Sequence, residues 1–441
     1  MKQKNKTVEY HLTTSEFTWE IAAGKSIHAW GFNKQLPGPV LRANVGDELV
    51  IHLVNNLEEA TTIHWHGIRL PASMDGTDGV QQMIEPGGVF EYRFIVPDAG
   101  TFWYHAHTNE TVQMERGMYG ALIVDDETDP VFDEERIFMI DDMKLNNRNE
   151  FTKPSWFLPR MMERHDGRQG NTLLLNGREN LVINMQGGQT ERWRLINSSS
   201  ARYFHLHLDG KPFKLIGTDG GLLEHPVSMN EILVTPGERV DIAVGPFAEG
   251  EKFPMESLAY NRTTFLTPKR ETFANVIVGE GRATKLNLPE RLRMIEPLAK
   301  QDSAITRKVI MSVDPRLRDG KDFRINGHAH VNDKPVIAGE LQVWEVSNTS
   351  LMDHPFHLHG FFFQVIEENG KAPAFISWKD TYNVKPKSKV KIAWMPDHRT
   401  GTWMYHCHIL EHHAAGMMAM FKVIDGSTKY EEKAVTHVHH H

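Results

Sequence analysis

A self-similar segment recurs three times along the chain, and it constrains the architecture more than any single motif. The copies are Val45-Gly46-Asp47-Glu48-Leu49-Val50-Ile51-His52-Leu53-Val54-Asn55-Asn56, Gly187-Gly188-Gln189-Thr190-Glu191-Arg192-Trp193-Arg194-Leu195-Ile196-Asn197 and Ala338-Gly339-Glu340-Leu341-Gln342-Val343-Trp344-Glu345-Val346-Ser347-Asn348. Each precedes a His-x-His pair, at His64/His66, His205/His207 and His357/His359. Later in each unit a turn leads into a strand, at Pro86-Gly87, Pro236-Gly237 and Pro386-Lys387. The first and third units close on Gly-Thr-x-x-Tyr-His-x-His, at residues 100–107 and 401–408, and the middle unit has no such ending. The repeats give three homologous all-β domains, 1–127, 135–285 and 300–427, with linkers at 125–130 and around Leu288-Pro289-Glu290. Short strands punctuated by Gly and Pro favour sandwiches over a parallel sheet.

The third unit ends in Trp403-Met404-Tyr405-His406-Cys407-His408-Ile409-Leu410-Glu411-His412-His413-Ala414-Ala415-Gly416-Met417, and Cys407 is the single cysteine of the chain. Thiolate, imidazole and a weak thioether are the ligand types of an electron-transfer copper site, which takes a second imidazole from elsewhere. Side chains alternate along a strand, so His406 and His408 point away from Cys407. One short strand then serves two metal centres, with one or two peptide links between them. A lone Cys is more often a small buried hydrophobe. Chance rarely sets it in a His-Cys-His triplet with His and Met downstream.

The chain holds 25 histidines, most of them in four clusters. The paired ones on strands number eight: His64, His66, His105, His107, His357, His359, His406 and His408. Two pairs come from each terminal domain. His354, three residues before His357, joins Cys407, His412 and Met417 to complete a set of two imidazoles, one thiolate and an axial thioether. Eight imidazoles on facing strands suit three coppers at the interface of domains one and three. One input copper and three cluster coppers store the four electrons that take dioxygen to water. No second thiolate is present for zinc or iron–sulfur chemistry. The formal charge of −8 supplies no basic surface for nucleic acid. No apolar run is long enough to span a bilayer.

With His64-Trp65-His66-Gly67, Trp103-Tyr104-His105-Ala106-His107, His354-Pro355-Phe356-His357-Leu358-His359-Gly360 and His406-Cys407-His408 through Met417, the chain resembles the three-domain bacterial multicopper oxidases of the laccase and cuprous oxidase type. The resemblance implies three cupredoxin-like Greek-key β-sandwich domains and four copper ions. By motif position, His64 and His357 hold the type 2 copper. His66, His105 and His408 hold one type 3 copper, and His107, His359 and His406 the other. His354, Cys407, His412 and Met417 form the type 1 site. It further implies one-electron oxidation of a donor at the type 1 copper and reduction of dioxygen to water at the cluster. Phenols and aromatic amines are the expected donors, because no dense Met-rich insert is visible; Cu(I) is the alternative, and a copper-binding relative without activity is a third reading.

Asp75, in Ser73-Met74-Asp75-Gly76, matches a family carboxylate beside the cluster and equally fits a turn Asp before Gly. One departure stands out: where similar enzymes carry Glu within His-Glu-x-x-Gly-Met, this chain has His413. Either His413 takes part in proton delivery or Asp75 does so alone; an ordinary hydrogen-bonded histidine is the plain alternative. Residues 143–170 fit no repeat and read as a long connection, its Met161 and Met162 as packing rather than a soft-metal surface. His205 and His207 read as a decayed copy, and His328 and His330 as a loop feature. The His-rich end at 437–441 is set aside. The protein is expected to act as a monomer outside the cytoplasm, with a leader missing from the chain as it stands; a cytoplasmic location is the alternative.

Overall fold

The structure, a computed structural model, describes residues 5–152, 157–265, 267–282, 288–314 and 320–426, without the side chains of 157–160. Residues 153–156 of the long connection and the His-rich end at 437–441 lie outside the described residues. The chain is all-β, with three sandwiches of two sheets each. In the first, a sheet of Lys25–Phe32, Thr7–Ala22, Glu48–Asn55 and Val89–Ile95 packs on one of Gly38–Asn44, Tyr119–Asp125, Gly100–Ala106 and Ile63–His66. The middle sandwich pairs a six-stranded with a five-stranded sheet, and the third a five-stranded with a six-stranded one. No helix among the described residues is long and apolar enough to cross a membrane.

The repeated segment does one structural job three times. Glu48–Asn55, Glu191–Asn197 and Gln342–Asn348 each lie parallel to the first strand of their own sandwich. Each is antiparallel on its other side to the strand that follows the Pro-Gly or Pro-Lys turn. Alternate residues enter the core: Leu49, Ile51 and Leu53 in the first copy, Trp193 and Leu195 in the second, Trp344 and Val346 in the third. Each copy ends on a buried Asn whose Nδ2 donates to two carbonyls, those of Glu59 and Ile84 for Asn55, Arg202 and Val234 for Asn197, and Met352 and Val384 for Asn348. A buried amide so satisfied contributes about 1 kcal/mol per bond. It also fixes where the chain turns towards the His-x-His strand.

Those strands then pair antiparallel in a definite register. His64 lies opposite His105, and His357 opposite His406. Directly opposed residues share a face of the sheet, so each terminal sandwich offers its imidazoles together. The two faces meet at the junction of the first and third sandwiches.

The segment after Glu134–Met143 leaves the six-stranded sheet of the middle sandwich, forms the helix Phe157–Asp166 and returns as the edge strand Thr172–Leu175. The helix packs against the short helix Leu410–Ala414, which carries His412 and His413. The middle copy of the histidine motif stays apart: His205 faces Glu231 at 3.5 Å and His207 accepts from the Gly210 amide at 2.9 Å. His328 and His330 lie between Phe323–Ile325 and Val331–Asn332, off the cluster.

Candidate metal centres

All eight paired histidines are at most 5 % exposed, and their outer hydrogen bonds fix which ring nitrogen is bare. His64 Nδ1 donates to the Asp75 carbonyl at 2.9 Å and His357 Nδ1 to that of Asp380 at 3.0 Å. Both Nε2 atoms are left as lone pairs, and they face each other at 3.4 Å. His359 Nδ1 donates to Asp75 Oδ2 at 2.8 Å and His406 Nδ1 to the Cys407 carbonyl at 2.8 Å. Their Nε2 atoms face each other at 3.0 Å. His105 Nδ1 donates to the Ala106 carbonyl at 2.9 Å, and its Nε2 is buried without a partner. His66 Nδ1, His107 Nε2 and His408 Nδ1 are likewise buried and partnerless.

Lone pairs turned on one another in a dry cavity repel, and orphaned buried nitrogens cost free energy. Cations between them remove both penalties. Burial holds the imidazoles of His66, His105, His359, His406 and His408 well below the usual range and takes His107 down to about 4. Neutral imidazole is the metal-ligating form. The donor set is nitrogen throughout, which suits copper or zinc rather than calcium or magnesium. Ligand atoms close enough to share one ion occur in His64, His66 and His105, in His64, His357 and His359, and in His107, His359 and His406.

A second centre lies on the opposite face of the strand Gly401–Cys407. Cys407 Sγ is 3.5 Å from both His354 Nδ1 and His412 Nδ1, which are 3.1 Å apart. His412 Nε2 donates to the His165 carbonyl at 2.9 Å, so its Nδ1 is bare. His354 Nε2 pairs with Ser350 Oγ at 2.9 Å. Met417 is buried in the same core, and its carbonyl accepts from the Cys407 amide at 3.0 Å. Burial pushes the Cys407 thiol far up, so a thiolate here requires a metal cation beside it. His354 is taken down to about 3 by burial, then by the Arg262 guanidinium.

Asp75 caps the short 3-10 turn Ala72–Met74, and Gly76 follows with φ of +78°. The turn reading of this residue matches that geometry. Its carboxylate is 1 % exposed and touches the cluster through His359. Burial alone would raise it, yet the imidazoles of His359 and His64 bring it well below the usual carboxylate range.

Several groups that the sequence did not single out surround the cluster. Asp380 Oδ1 sits 3.1 Å from His66 Nε2, and its carboxylate takes a bidentate pair from Arg239 at 2.7 and 2.6 Å. Arg239 belongs to the middle sandwich and also donates to the Thr101 carbonyl of the first. Lys379 bridges Asp219 at 3.0 Å and Glu238 at 2.8 Å, so charges from the middle and third sandwiches interlock beneath the histidines. Glu110 reaches in from the first domain, with Oε1 3.2 Å from His107 Nδ1 and Oε2 accepting from His413 Nδ1 at 2.9 Å. His413 stacks on His406, ring centroids 4.3 Å apart.

Comparison with known proteins places these sites in a family. Multicopper oxidase domain models match residues 13–129, 134–272 and 296–427. A multicopper oxidase of Staphylococcus aureus is 31% identical over 447 residues, covering 96% of this chain and 90% of its own. A multicopper oxidase from Campylobacter jejuni, described as a metallo-oxidase, superposes with a TM-score of 0.85 at 31% identity, covering 96% of this chain and 92% of its own. A laccase from Pediococcus acidilactici superposes with a TM-score of 0.83 at 30% identity, covering 95% and 90%. The chain belongs to the multicopper oxidase family, copper oxidoreductases with dioxygen as acceptor.

Proposed function

We propose that the chain oxidises a small donor one electron at a time at the Cys407 site and reduces dioxygen to water at the eight-histidine cluster, and that the donor is the cuprous ion. The ligand sets are those of the motif reading: His354, Cys407, His412 and Met417 for the type 1 copper, His64 and His357 for type 2, His66, His105 and His408 for one type 3 ion, and His107, His359 and His406 for the other. Four coppers held by these residues would store the four electrons that dioxygen requires. Cys407 lies between His406 and His408, so the covalent path from thiolate to cluster ligands is one residue long in either direction. Asp75 orients His64 and His359. Glu110 and His413 pass protons between a solvent-facing cavity and the cluster edge, since both line that cavity.

The observation that carries the donor reading is the cover over His412. Its Nε2–H is committed to the His165 carbonyl and its ring is fully buried, so a phenol cannot reach that edge without lifting the helix Phe157–Asp166. The covering helix carries Met161, 37% exposed, and Met162, which the sequence alone read as packing; as thioethers on the cover they are soft donors that accept a copper ion. The Campylobacter jejuni metallo-oxidase supports the same reading. Phenols and aromatic amines form the second reading, favoured by Phe265, 60% exposed, whose ring lies 5.0 Å from that of His165 and makes an aromatic rim near the cover.

Oxygen uptake by the copper-loaded protein tests both. Uptake driven by Cu(I), with a methoxyphenol turned over only when copper is added, is the expected result. Efficient uptake with the phenol alone would make the enzyme a laccase. No uptake with either, by a fully loaded blue protein, would sink the oxidase reading.

A further inference from the structure

We propose that this chain has a separate binding site for Cu(I), made of methionine sulfurs, in the cavity behind the histidine cluster, and that copper bound there is passed on to fill the cluster. The cavity, about 700 Å³, lies at the junction of the first and third sandwiches and is lined by Met83, Met404, Met418 and Met420 together with Glu110 and His413.

Strand register explains how the sulfurs come together. Gly401–Cys407 and Met418–Ile424 run antiparallel with Met404 opposite Met420 and His406 opposite Met418. Opposed side chains on one face have Cβ atoms about 4.5–5.5 Å apart, within the span of a shared ion. The alternate residues Trp403, Tyr405, Cys407, Ala419, Phe421 and Val423 all enter the core of the third sandwich. The methionines therefore occupy the same face as the cluster ligand His406, and the opposite face from Cys407.

Simple packing does not account for them. Met404 is buried, but Met83, Met418 and Met420 are only half-buried on the cavity wall, and among the described residues none of the four belongs to the main hydrophobic clusters. A row of Leu or Val would close such a face more cheaply. Thioethers are soft, neutral donors that select Cu(I) over hard divalent ions. Lys321 and Lys422 share the lining, which leaves the cavity without the excess negative charge a hard divalent ion wants. His413, stacked on His406 and held by Glu110, stands between this space and His406, and the cluster ligand His107 lines the cavity directly. An ion in the cavity is on the wrong side of the strand to feed electrons to Cys407, so its role is supply of metal rather than of electrons. The supply role rests on the copper reading of the cluster; the thioether site does not.

Silver(I), a redox-inert stand-in for Cu(I), tests the site on the copper-loaded protein by equilibrium dialysis. The wild type is expected to retain one more silver ion than a Met404→Leu/Met418→Leu/Met420→Leu variant. Leu nearly conserves volume, and the blue thiolate–copper absorption reports that the variant is folded. Should the triple variant not fold, Met420→Leu alone is expected to weaken silver binding about tenfold. Equal silver retention by wild type and variant overturns the proposal. Anaerobic loading of apoprotein with Cu(I), followed by air, reads the supply role. The type 2 electron paramagnetic resonance signal should grow about tenfold more slowly in the variant, with the blue band unaffected. Equal growth overturns the supply role. A wild type that turns blue but never shows a type 2 signal refutes the copper reading of the cluster, and silver retention then still decides the thioether site.

Discussion

His413 Nδ1 donates to Glu110 Oε2 across 2.9 Å, tying the helix beside the Cys407 site to the first sandwich. Glu110 thus brings a buried carboxylate to His413, at the position where the sequence resemblance leads one to expect a Glu. Burial would raise Glu110, but His107 and then His413 hold it well below the usual range. Glu110→Gln removes the charge and keeps the shape. Turnover with dioxygen should fall about a hundredfold, the scale of one acid–base group. Anaerobic reduction of the blue copper should be unchanged. Reoxidation by dioxygen at the wild-type rate would exclude Glu110 from the proton path.

Gly237 has φ of +87°, and a Cβ there would lie 2.8 Å from His408 Cδ2. Left-handed backbone costs an alanine roughly 1–2 kcal/mol, and the methyl would push the imidazole. Gly237→Ala should bind less copper at the cluster, measured as a weaker type 2 signal per protein, while the blue absorption remains.

Arg239 and Asp380 form a fully buried bidentate pair. Removing one partner leaves the other charged and dry, at a cost of about 3–5 kcal/mol. Arg239→Met should lower the denaturant midpoint accordingly and also disturb His66, which shares Asp380. A midpoint within error of wild type would show that Asp380 finds another cation.

Glu115 gives a pH dependence with a definite sign. Burial, followed by neighbouring Asp142 and Glu411 against the opposing Arg168, pushes its carboxyl up from 4.5 to about 8. Between those values the folded chain holds a proton that the unfolded chain has lost. That contribution to stability is complete below about pH 4.5 and disappears as pH rises through about 8. The melting temperature of wild type should therefore fall more steeply than that of Glu115→Gln over this range. Parallel curves would refute it.

The sequence carried the histidines because alternation is a rule that spacing exposes: His64 and His66, or His406 and His408, flanking a residue that must point the other way. It also carried the three sandwiches, since the repeated segment ends each time on an Asn with the same two bonds to make. Asp380 and Arg239 were not legible. Each is an ordinary charge in its local run, and the partner lies 141 residues away. Glu110 left a faint signal, three residues after His107, on a turn too short to show periodicity. The cover on His412 is a backbone carbonyl, which no side-chain pattern records.

The middle sandwich contributes none of the candidate ligands, yet Gly237 presses on His408 and Arg239 neutralises Asp380. A module that holds no metal is thereby one the other two cannot do without. Excision of residues between the outer modules would leave Asp380 stranded beside two imidazoles, and the shortened gene product would forfeit its metal before it forfeited its shape. A module without ligands is thus made indispensable by its electrostatics.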